Sequence, residues 1–120
     1  MILLEALSTL WGRTSVATAS DGLAAMSIIE RFHPEKIILF GSYADGTAGP
    51  DSDVDLLVVM KVAGSRRDKA AEIDLALAYR EVPLDLIVIT PEQFERDRDA
   101  IGTIVRPAVN EGKTLYDRGA

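Results

Sequence analysis

The sequence predicts one α/β domain in which helices cover a β-sheet. Short apolar runs rich in β-branched residues alternate with longer segments whose apolar residues recur at helical spacing. Strands that alternate with helices in this way are typical of an α/β sheet. The chain has 120 residues, of which 48% are hydrophobic, so it is long enough to form one hydrophobic core.

The first predicted element is a helix that follows an N-terminal segment. We expect residues 1–20 to form an arm or a short helix and residues 21–120 to form the domain. Asp21 is suited to cap a helix over residues 22–32, and Pro34 cannot continue that helix. The apolar residues at helical spacing that we expect to face the core are Leu23, Ala25, Met26 and Ile29.

Four runs are predicted to be strands because they are apolar and rich in Val, Ile and Leu. The last of them is short and is expected at an edge of the sheet. The predicted strands cover residues 36–40, 54–60, 84–89 and 114–116.

Three further helices are predicted from their capping signals. Ser65 opens a capping box, and the helix after it is expected to run over about residues 66–80. Thr90 is followed by proline, an order typical of a helix start. A last helix is expected over residues 100–111, kinked at the proline inside it and ended by Gly112. The residues expected on the inner face of the first of these helices are Ala70, Ile73 and Leu77.

Composition excludes several classes of function. The net charge of −6 and the isoelectric point near 4.7 argue against a protein that binds duplex nucleic acid. The absence of cysteine excludes disulfides and thiol chemistry, and a single histidine, His33, excludes multi-histidine metal sites. The apolar start of the chain is short and contains Glu5, so we predict neither a signal peptide nor a membrane span and expect a cytoplasmic protein.

The segment most indicative of function lies between two apolar runs. It begins with Gly41 and Ser42, and after ten more residues it ends with Asp53, Val54 and Asp55. No lysine or arginine occurs from residue 37 to residue 60, although this stretch holds four aspartates. Because like charges this close repel each other, a compensating divalent metal ion is expected, and Mg²⁺ prefers carboxylate oxygens.

Strand geometry predicts where these groups point. Side chains alternate along a strand, so Asp53 and Asp55 are expected on one face, where they can bind one metal ion or two. Gly41 permits a sharp turn and a close approach of backbone to a ligand. If a short helix begins at Ser42, its free N–H groups and the serine hydroxyl form an anion site. Phosphoryl or nucleotidyl transfer needs such a phosphate site opposite a metal-binding carboxylate pair.

This pattern resembles the signature of the minimal nucleotidyltransferases, the smallest members of the DNA polymerase β-like superfamily. The resemblance extends through the runs IILFG and SDVDLLV and covers roughly residues 30–117. It implies a mixed sheet flanked by helices and transfer of AMP from ATP, with Mg²⁺ or Mn²⁺ as the cofactor. It also implies that Asp53 and Asp55 hold the metal, that Asp85 on a later strand is the third carboxylate, and that Gly41 and Ser42 hold phosphates.

The sequence departs from this family at Asp45, which stands where many members carry arginine, and some assignments stay open. Tyr43 also replaces an arginine of many members, although tyrosine occurs there too. Asp85 would otherwise be an exposed edge residue, or would pair with Arg80 or Lys61. Ser52 is expected to brace its loop rather than to react.

Small domains of this kind resemble the antitoxin half of toxin–antitoxin pairs with helical HEPN ribonucleases. The resemblance implies an oligomeric assembly with such a partner, modified on a tyrosine hydroxyl. A second hypothesis is a binding module that neutralises its partner by contact without catalysis, which Asp45 favours. A third, weaker hypothesis is nucleotidyl transfer to a small molecule such as an aminoglycoside.

Overall fold

The fold is a four-stranded mixed sheet within the part of the chain that the computed structural model describes, residues 19–77 and 83–119. Strand β2 pairs in parallel with β3 and antiparallel with β1, which pairs antiparallel with β4, so the order is β3-β2-β1-β4. The strands are β1 (Lys36–Phe40), β2 (Val54–Val59), β3 (Leu84–Ile89) and β4 (Lys113–Asp117). The predicted strands are therefore confirmed to within a residue at each end, and β4 is an edge strand as expected.

Five helices accompany the sheet in the described residues. They are α1 (Ala19–Phe32), α2 (Ser42–Asp45), α3 (Arg66–Ala76), α4 (Pro91–Asp97) and α5 (Val105–Glu111). None of these helices is long and apolar enough to cross a bilayer. The predicted N-terminal arm up to residue 18 and the predicted end of the third helix, residues 78–80, lie outside the described residues.

The sheet has a hydrophobic cluster on each face, because β2 is apolar at nearly every position. Leu56 and Val58 pack with α1 and α3, whereas Leu57 and Val59 pack with α4 and α5. All four side chains are at most 1% exposed. Burying a side chain of this size stabilises a fold by roughly 1.5–3 kcal/mol, so β2 is the most strongly held strand. The two residues of β2 at the start of the strand, Val54 and Asp55, are fixed in place by this packing.

The inner face of α1 matches the prediction in part. Of the four residues expected there, Ala25 and Ile29 are buried, Met26 is half-buried and Leu23 is 64% exposed. Ala24 and Ile28 are buried as well. Because Ala24, Ala25, Ile28 and Ile29 form the face that packs on the sheet, Leu23 lies on the outer side of the helix. Asp21 lies inside α1 and is not its N-cap, because the helix already includes Ala19.

The last helix is also shorter than predicted. It begins at Val105 instead of residue 100, after a turn in which the Thr103 hydroxyl donates to the carbonyls of Asp97 and Ala100 and accepts from the Arg106 N–H. Pro107 therefore lies in the first turn, where its missing N–H has no intrahelical partner to lose, and no kink is needed.

The predicted caps at the other helix ends are confirmed. The Ser65 hydroxyl accepts from the Asp68 N–H, and the Thr90 hydroxyl accepts from the Gln93 N–H. Gly112 caps α5, but with an extended backbone (φ −82°) rather than a left-handed one. Its role is close packing, because a Cβ there would overlap the carbonyl oxygens of Ala108 and Leu39.

We therefore expect Gly112→Ala to destabilise the domain, whereas Gly64→Ala should not. Overpacking at Gly112 should lower the free energy of unfolding by about 1–3 kcal/mol. A Cβ at Gly64 meets no atom within 4 Å, so that variant should change stability by less than about 1 kcal/mol. Urea unfolding of both variants tests the close packing of α5 on β1. Equal stability of the two variants would contradict it.

Candidate active site

The pairing of β2 with β3 places two of the predicted site residues side by side. Asp55 is directly opposite Asp85 in the parallel register, and on its other side it is opposite Phe40, the last residue of β1. The Gly-Ser turn follows Phe40 directly. Three segments that are far apart in the sequence thus meet at one end of the sheet.

Asp55 and Asp85 also share a face of the sheet. On β2, the side chain of Asp55 points to the same face of the sheet as those of Leu57 and Val59. On β3, the side chain of Asp85 points to the same face as those of Ile87 and Ile89. These apolar residues belong to the cluster under α4 and α5, so both aspartates continue that face. Asp85 is exposed and Asp55 is half-buried. Asp53 is exposed and lies one residue before β2 begins, at the same end of the sheet.

The carboxylates repel each other. Burial raises the pKa of Asp55 above its ordinary value of 3.8, and so do the charge of Asp85, a hydrogen bond with the Asp85 side chain, and the charge of Asp53. No cation is among the causes of this shift, which agrees with the absence of lysine and arginine from residues 37–60. The ionised form of Asp55 is therefore destabilised in the folded protein until a positive charge is supplied.

Gly41 is required at the turn for two reasons. Its φ is +72°, a conformation that residues with a side chain rarely adopt. In addition, a Cβ at this position would overlap the carboxylate of Asp55. The backbone at Gly41 thus lies directly against Asp55, and this contact joins the Gly-Ser turn to the carboxylate pair.

The first turn of α2 leaves backbone donors free. The N–H groups of Ala44 and Asp45 both donate to the Gly41 carbonyl. The N-cap residue of α2 is Gly41, which has no side chain to cap the helix. Within the described residues, the N–H groups of Ser42 and Tyr43 donate to no protein acceptor, and the Ser42 hydroxyl makes no hydrogen bond. The short helix predicted at Ser42 is confirmed, and its start presents two amides and a hydroxyl beside the carboxylates.

The loop between α2 and β2 is held by its own side chains. The Asp45 carboxylate accepts from both the N–H and the hydroxyl of Thr47, and the hydroxyl interaction is the main cause that lowers the pKa of Asp45. The Ser52 hydroxyl accepts from the Gly49 N–H at 2.8 Å. Ser52 thus braces the loop as predicted, and Asp45, where many family members carry arginine, has a structural role.

The donor set suits a hard divalent cation only in part. Asp55 and Asp85 are in side-chain contact and supply oxygen ligands, which Mg²⁺ prefers. Among residues 19–77 and 83–119, however, no three His, Cys, Asp or Glu side chains form a ready-made ligand group. Asp53 therefore acts on Asp55 by its charge and would have to turn towards the pair to share an ion.

Two basic residues bear on the alternatives for Asp85. Lys61 is exposed and makes no ion pair within the described residues, and Arg80 lies outside them.

Lys113 was not predicted near the site, yet it lies opposite Leu39 and therefore at the same end of the sheet as Gly41. Its position depends on how β4 pairs with β1, and no local sequence signal indicates that pairing.

The fold and this end of the sheet define the chain as a polymerase β-like nucleotidyltransferase domain. Residues 25–111 match the family model described as "Nucleotidyltransferase domain", and the chain belongs to this family.

Two curated relatives, both from Methanocaldococcus jannaschii, carry names that specify an activity. "Putative protein adenylyltransferase MJ1305" is 38% identical over 90 residues, which make up 68% of this chain and 58% of that protein. "Putative protein adenylyltransferase MJ0141" is 40% identical over 45 residues, which make up 38% of this chain and 46% of that protein. The chain thus spans about half the length of the curated relatives it matches.

Solved structures of toxin–antitoxin complexes contain chains with this fold. A mutant of the MntA–HpeT complex matches with a TM-score of 0.55 and 21% identity, over 83% of this chain and 74% of that chain. A toxin–antitoxin structure with AMP-PNP matches with a TM-score of 0.53 and 25% identity, over 79% of this chain and 72% of that chain.

The raised pKa of Asp55 predicts a pH-dependent effect of Asp55→Asn. A carboxyl whose pKa is higher in the folded than in the unfolded protein stabilises the fold fully at pH values below its unfolded-state pKa. This stabilisation of the fold is lost as the pH rises through the folded-state pKa. The metal-free wild type should therefore lose stability relative to Asp55→Asn between about pH 4 and pH 7. Thermal melts in EDTA at both pH values measure this difference.

Asp117→Asn is the matched control for that experiment. Asp117 pairs with Lys36 at 3.0 Å, so its replacement should destabilise the protein at pH 7, by up to about 1 kcal/mol. If Asp55→Asn loses stability at pH 7 as Asp117→Asn does, Asp55 is a structural carboxylate, and the repulsion described above is wrong.

Gly41→Ala and Gly46→Ala compare a glycine packed against Asp55 with a glycine that has open space around it. Both glycines have a positive φ, of +72° and +84°. Gly46 is left-handed helical (ψ 9°), so Gly46→Ala should lose about 1–2 kcal/mol of stability. Gly41 (ψ −153°) lies in a backbone region essentially restricted to glycine, where a side chain costs about 1–3 kcal/mol. Only at Gly41 does the new methyl group meet Asp55, since a Cβ at Gly46 has no neighbour within 4 Å. Gly41→Ala should therefore lose a further 1–3 kcal/mol, approximately, in urea unfolding. Equal losses would show that the Gly41–Asp55 contact is absent.

Proposed function

We propose that this domain transfers AMP from ATP to a hydroxyl group of a protein partner, with Mg²⁺ as its cofactor. The observation that carries the proposal is the in-register Asp55–Asp85 pair, with Gly41 packed against Asp55. A site for nucleotidyl transfer needs carboxylates that gain from a cation and, next to them, donors for phosphate oxygens.

The phosphate-binding part of the proposed site is the start of α2. The N–H groups of Ser42 and Tyr43 and the Ser42 hydroxyl would donate to the β- and γ-phosphates. Because Gly41 has no side chain, a phosphate oxygen can approach its backbone beside Asp55. These contacts exist in the ground state as well as in the transition state, so they would contribute mainly to nucleotide affinity.

The carboxylates would hold the metal and orient the acceptor. Asp53, Asp55 and Asp85 would bind Mg²⁺ or Mn²⁺, which when bound neutralises charge on the triphosphate. Asp85 is exposed and therefore within reach of an acceptor, and it would accept the proton of the attacking hydroxyl. The hydroxyl oxygen then forms a bond to the α-phosphorus, the bond from that phosphorus to the β-phosphate oxygen breaks, and pyrophosphate leaves.

A helical HEPN-type protein is the proposed partner and acceptor. The curated relatives are named as protein adenylyltransferases, and a structural neighbour at 25% identity is a toxin–antitoxin complex with AMP-PNP, an ATP analogue. This chain would be the antitoxin and would act in the cytoplasm, where nucleoside triphosphates are available. Neither duplex nucleic acid nor an anionic membrane is a proposed partner, because the net charge of −6 opposes binding to their phosphates.

A second candidate function is neutralisation of the partner by contact alone. It is favoured by Asp45, which places a negative charge at the end of α2, the helix whose start is the proposed phosphate site. Transfer to a small molecule is a third possibility, and it has no supporting observation in the described residues.

Transfer of radiolabelled AMP from ATP to a co-expressed helical partner tests the proposal. Replacing Asp53 or Asp55 with asparagine should reduce transfer by more than the roughly 10–100-fold typical of losing a residue that only orients a metal ligand. Asp51→Asn is the matched control, because Asp51 is an exposed aspartate of the same loop whose side chain forms no hydrogen bond or ion pair with the described residues. Transfer by Asp55→Asn close to the wild-type rate would exclude the proposed metal ligands.

The same variants give a readout that needs no acceptor. Mg-ATP at 100 times its dissociation constant should stabilise the wild type by about 2.7 kcal/mol, a shift of several degrees in a thermal melt. Asp51→Asn should keep the shift and Asp55→Asn should lose it. A shift without transfer would favour the contact-only hypothesis. The absence of any shift in the wild type would contradict both nucleotide binding and transfer.

A further inference from the structure

The outer edge of β3 forms the floor of a groove of about 640 Å³. β3 is the last strand on its side of the sheet, and no described strand pairs with its outer edge. The floor is formed by Leu86–Ile89, one wall by Ser65, Arg66 and Arg67 at the start of α3, and the opposite wall by Gln93 and Ile104. The groove therefore follows the strand that carries Asp85 and begins one residue after it.

The floor of the groove presents backbone groups that pair with no other strand in the part of the chain that the structure describes. The carbonyls of Pro83 and Ile89 accept from the N–H groups of Val54 and Met60, so at these odd-numbered positions the backbone points towards β2. Backbone groups alternate sides along a strand, and those of Leu86 and Val88 consequently point outwards. A free edge of this kind is a template for an additional strand.

The walls of the groove define the chemistry of its occupant. Arg66 and Arg67 are exposed and make no ion pair with any described residue, although the whole chain carries a net charge of −6. Across the groove, Ile104 is 43% exposed. A segment with acidic side chains towards α3 and apolar side chains towards Ile104 is complementary to both walls.

We propose that this groove binds an extended acidic segment of the protein partner, which adds to the sheet as a strand beside β3. The segment would pair with the outward backbone groups of Leu86 and Val88, and Arg66 and Arg67 would bind its carboxylates. This inference rests on the proposed function in one respect: a segment paired with β3 passes Asp85 and would carry the acceptor hydroxyl to it.

Binding is tested without nucleotide, using a fluorescein-labelled random copolymer of glutamate and tyrosine. Fluorescence anisotropy should show binding to the wild type, no binding of a lysine–tyrosine copolymer, and an affinity at least about tenfold lower for the Arg66→Glu/Arg67→Glu double variant. The control is the Arg31→Glu/Arg118→Glu double variant, which has the same charge change on residues that do not line the groove. Equal losses in both double variants would overturn the proposal.

Amide hydrogen exchange of the wild-type protein tests the added strand directly. On binding the copolymer, the N–H groups of Leu86 and Val88 should become protected, whereas those of Asp85 and Ile87, which point towards β2, should not change. Unchanged protection at Leu86 and Val88 would overturn strand addition. Sedimentation is the second check, because a dimer that Arg66→Glu/Arg67→Glu dissociates would make a second copy of the chain the occupant and overturn the assignment to a partner.

Failure of this inference is distinguishable from failure of the proposed function. Asp55→Asn should bind the copolymer as the wild type does, because Asp55 lies outside the groove. Copolymer binding without AMP transfer to any acceptor would contradict the proposed function and leave the groove assignment intact. AMP transfer to the partner at the same rate by the wild type and by Arg66→Glu/Arg67→Glu would overturn the groove assignment alone.

Discussion

The interaction on which the site depends is the repulsion between Asp55 and Asp85, which the parallel pairing of β2 and β3 enforces. Neither carboxylate can move away along its strand, because each strand is anchored by backbone hydrogen bonds and by apolar side chains on both faces. Other features of this end of the sheet follow from that pair. Gly41 must lack a side chain to leave room for Asp55, and the chain must turn into α2 immediately after β1.

The repulsion can be tolerated because β2 is buried so completely. Four consecutive residues of β2 are at most 1% exposed, and burying each of them stabilises the fold by roughly 1.5–3 kcal/mol. The repulsion itself is relieved when Asp55 takes up a proton. Proteins commonly break a local rule at a functional site and compensate elsewhere in the fold. Here the broken rule is the proximity of like charges, and the compensation is the hydrophobic packing of the same strand.

The local parts of this structure could be predicted from the sequence, and the non-local parts could not. Strand positions, the capping roles of Ser65 and Thr90 and the short helix at Ser42 depend on a few neighbouring residues, and they are confirmed. The helix over residues 100–111 was predicted too long because the Thr103 side chain ends the preceding turn through hydrogen bonds that leave no sequence pattern. The exposure of Leu23 depends on which of several apolar faces of α1 packs on the sheet, and periodicity alone does not specify that face.

The candidate site likewise has features that the local sequence predicts and features that depend on strand order and register. The spacing of Gly41, Ser42, Asp53 and Asp55 is a local signal and indicated a shared site. That Asp85 lies opposite Asp55, and that Lys113 lies at the same end of the sheet, follow only from strand order and register. The contact between Gly41 and Asp55 is likewise a property of the assembled sheet, and the sequence supplied only the reason that a glycine would be needed.

The loop before Asp53 has a consequence for the speed and cost of ligand binding. The loop is held by hydrogen bonds between Asp45 and Thr47 and between Ser52 and Gly49, and the residues of each pair are at most three positions apart. Such contacts form whenever the adjacent chain is in place, and they require neither a ligand nor a distant part of the fold. The entropy lost in ordering this loop is thus incurred on folding rather than on binding. A ligand that binds at this end of the sheet would find the loop already ordered. Ordering of the loop would therefore not limit the rate of association.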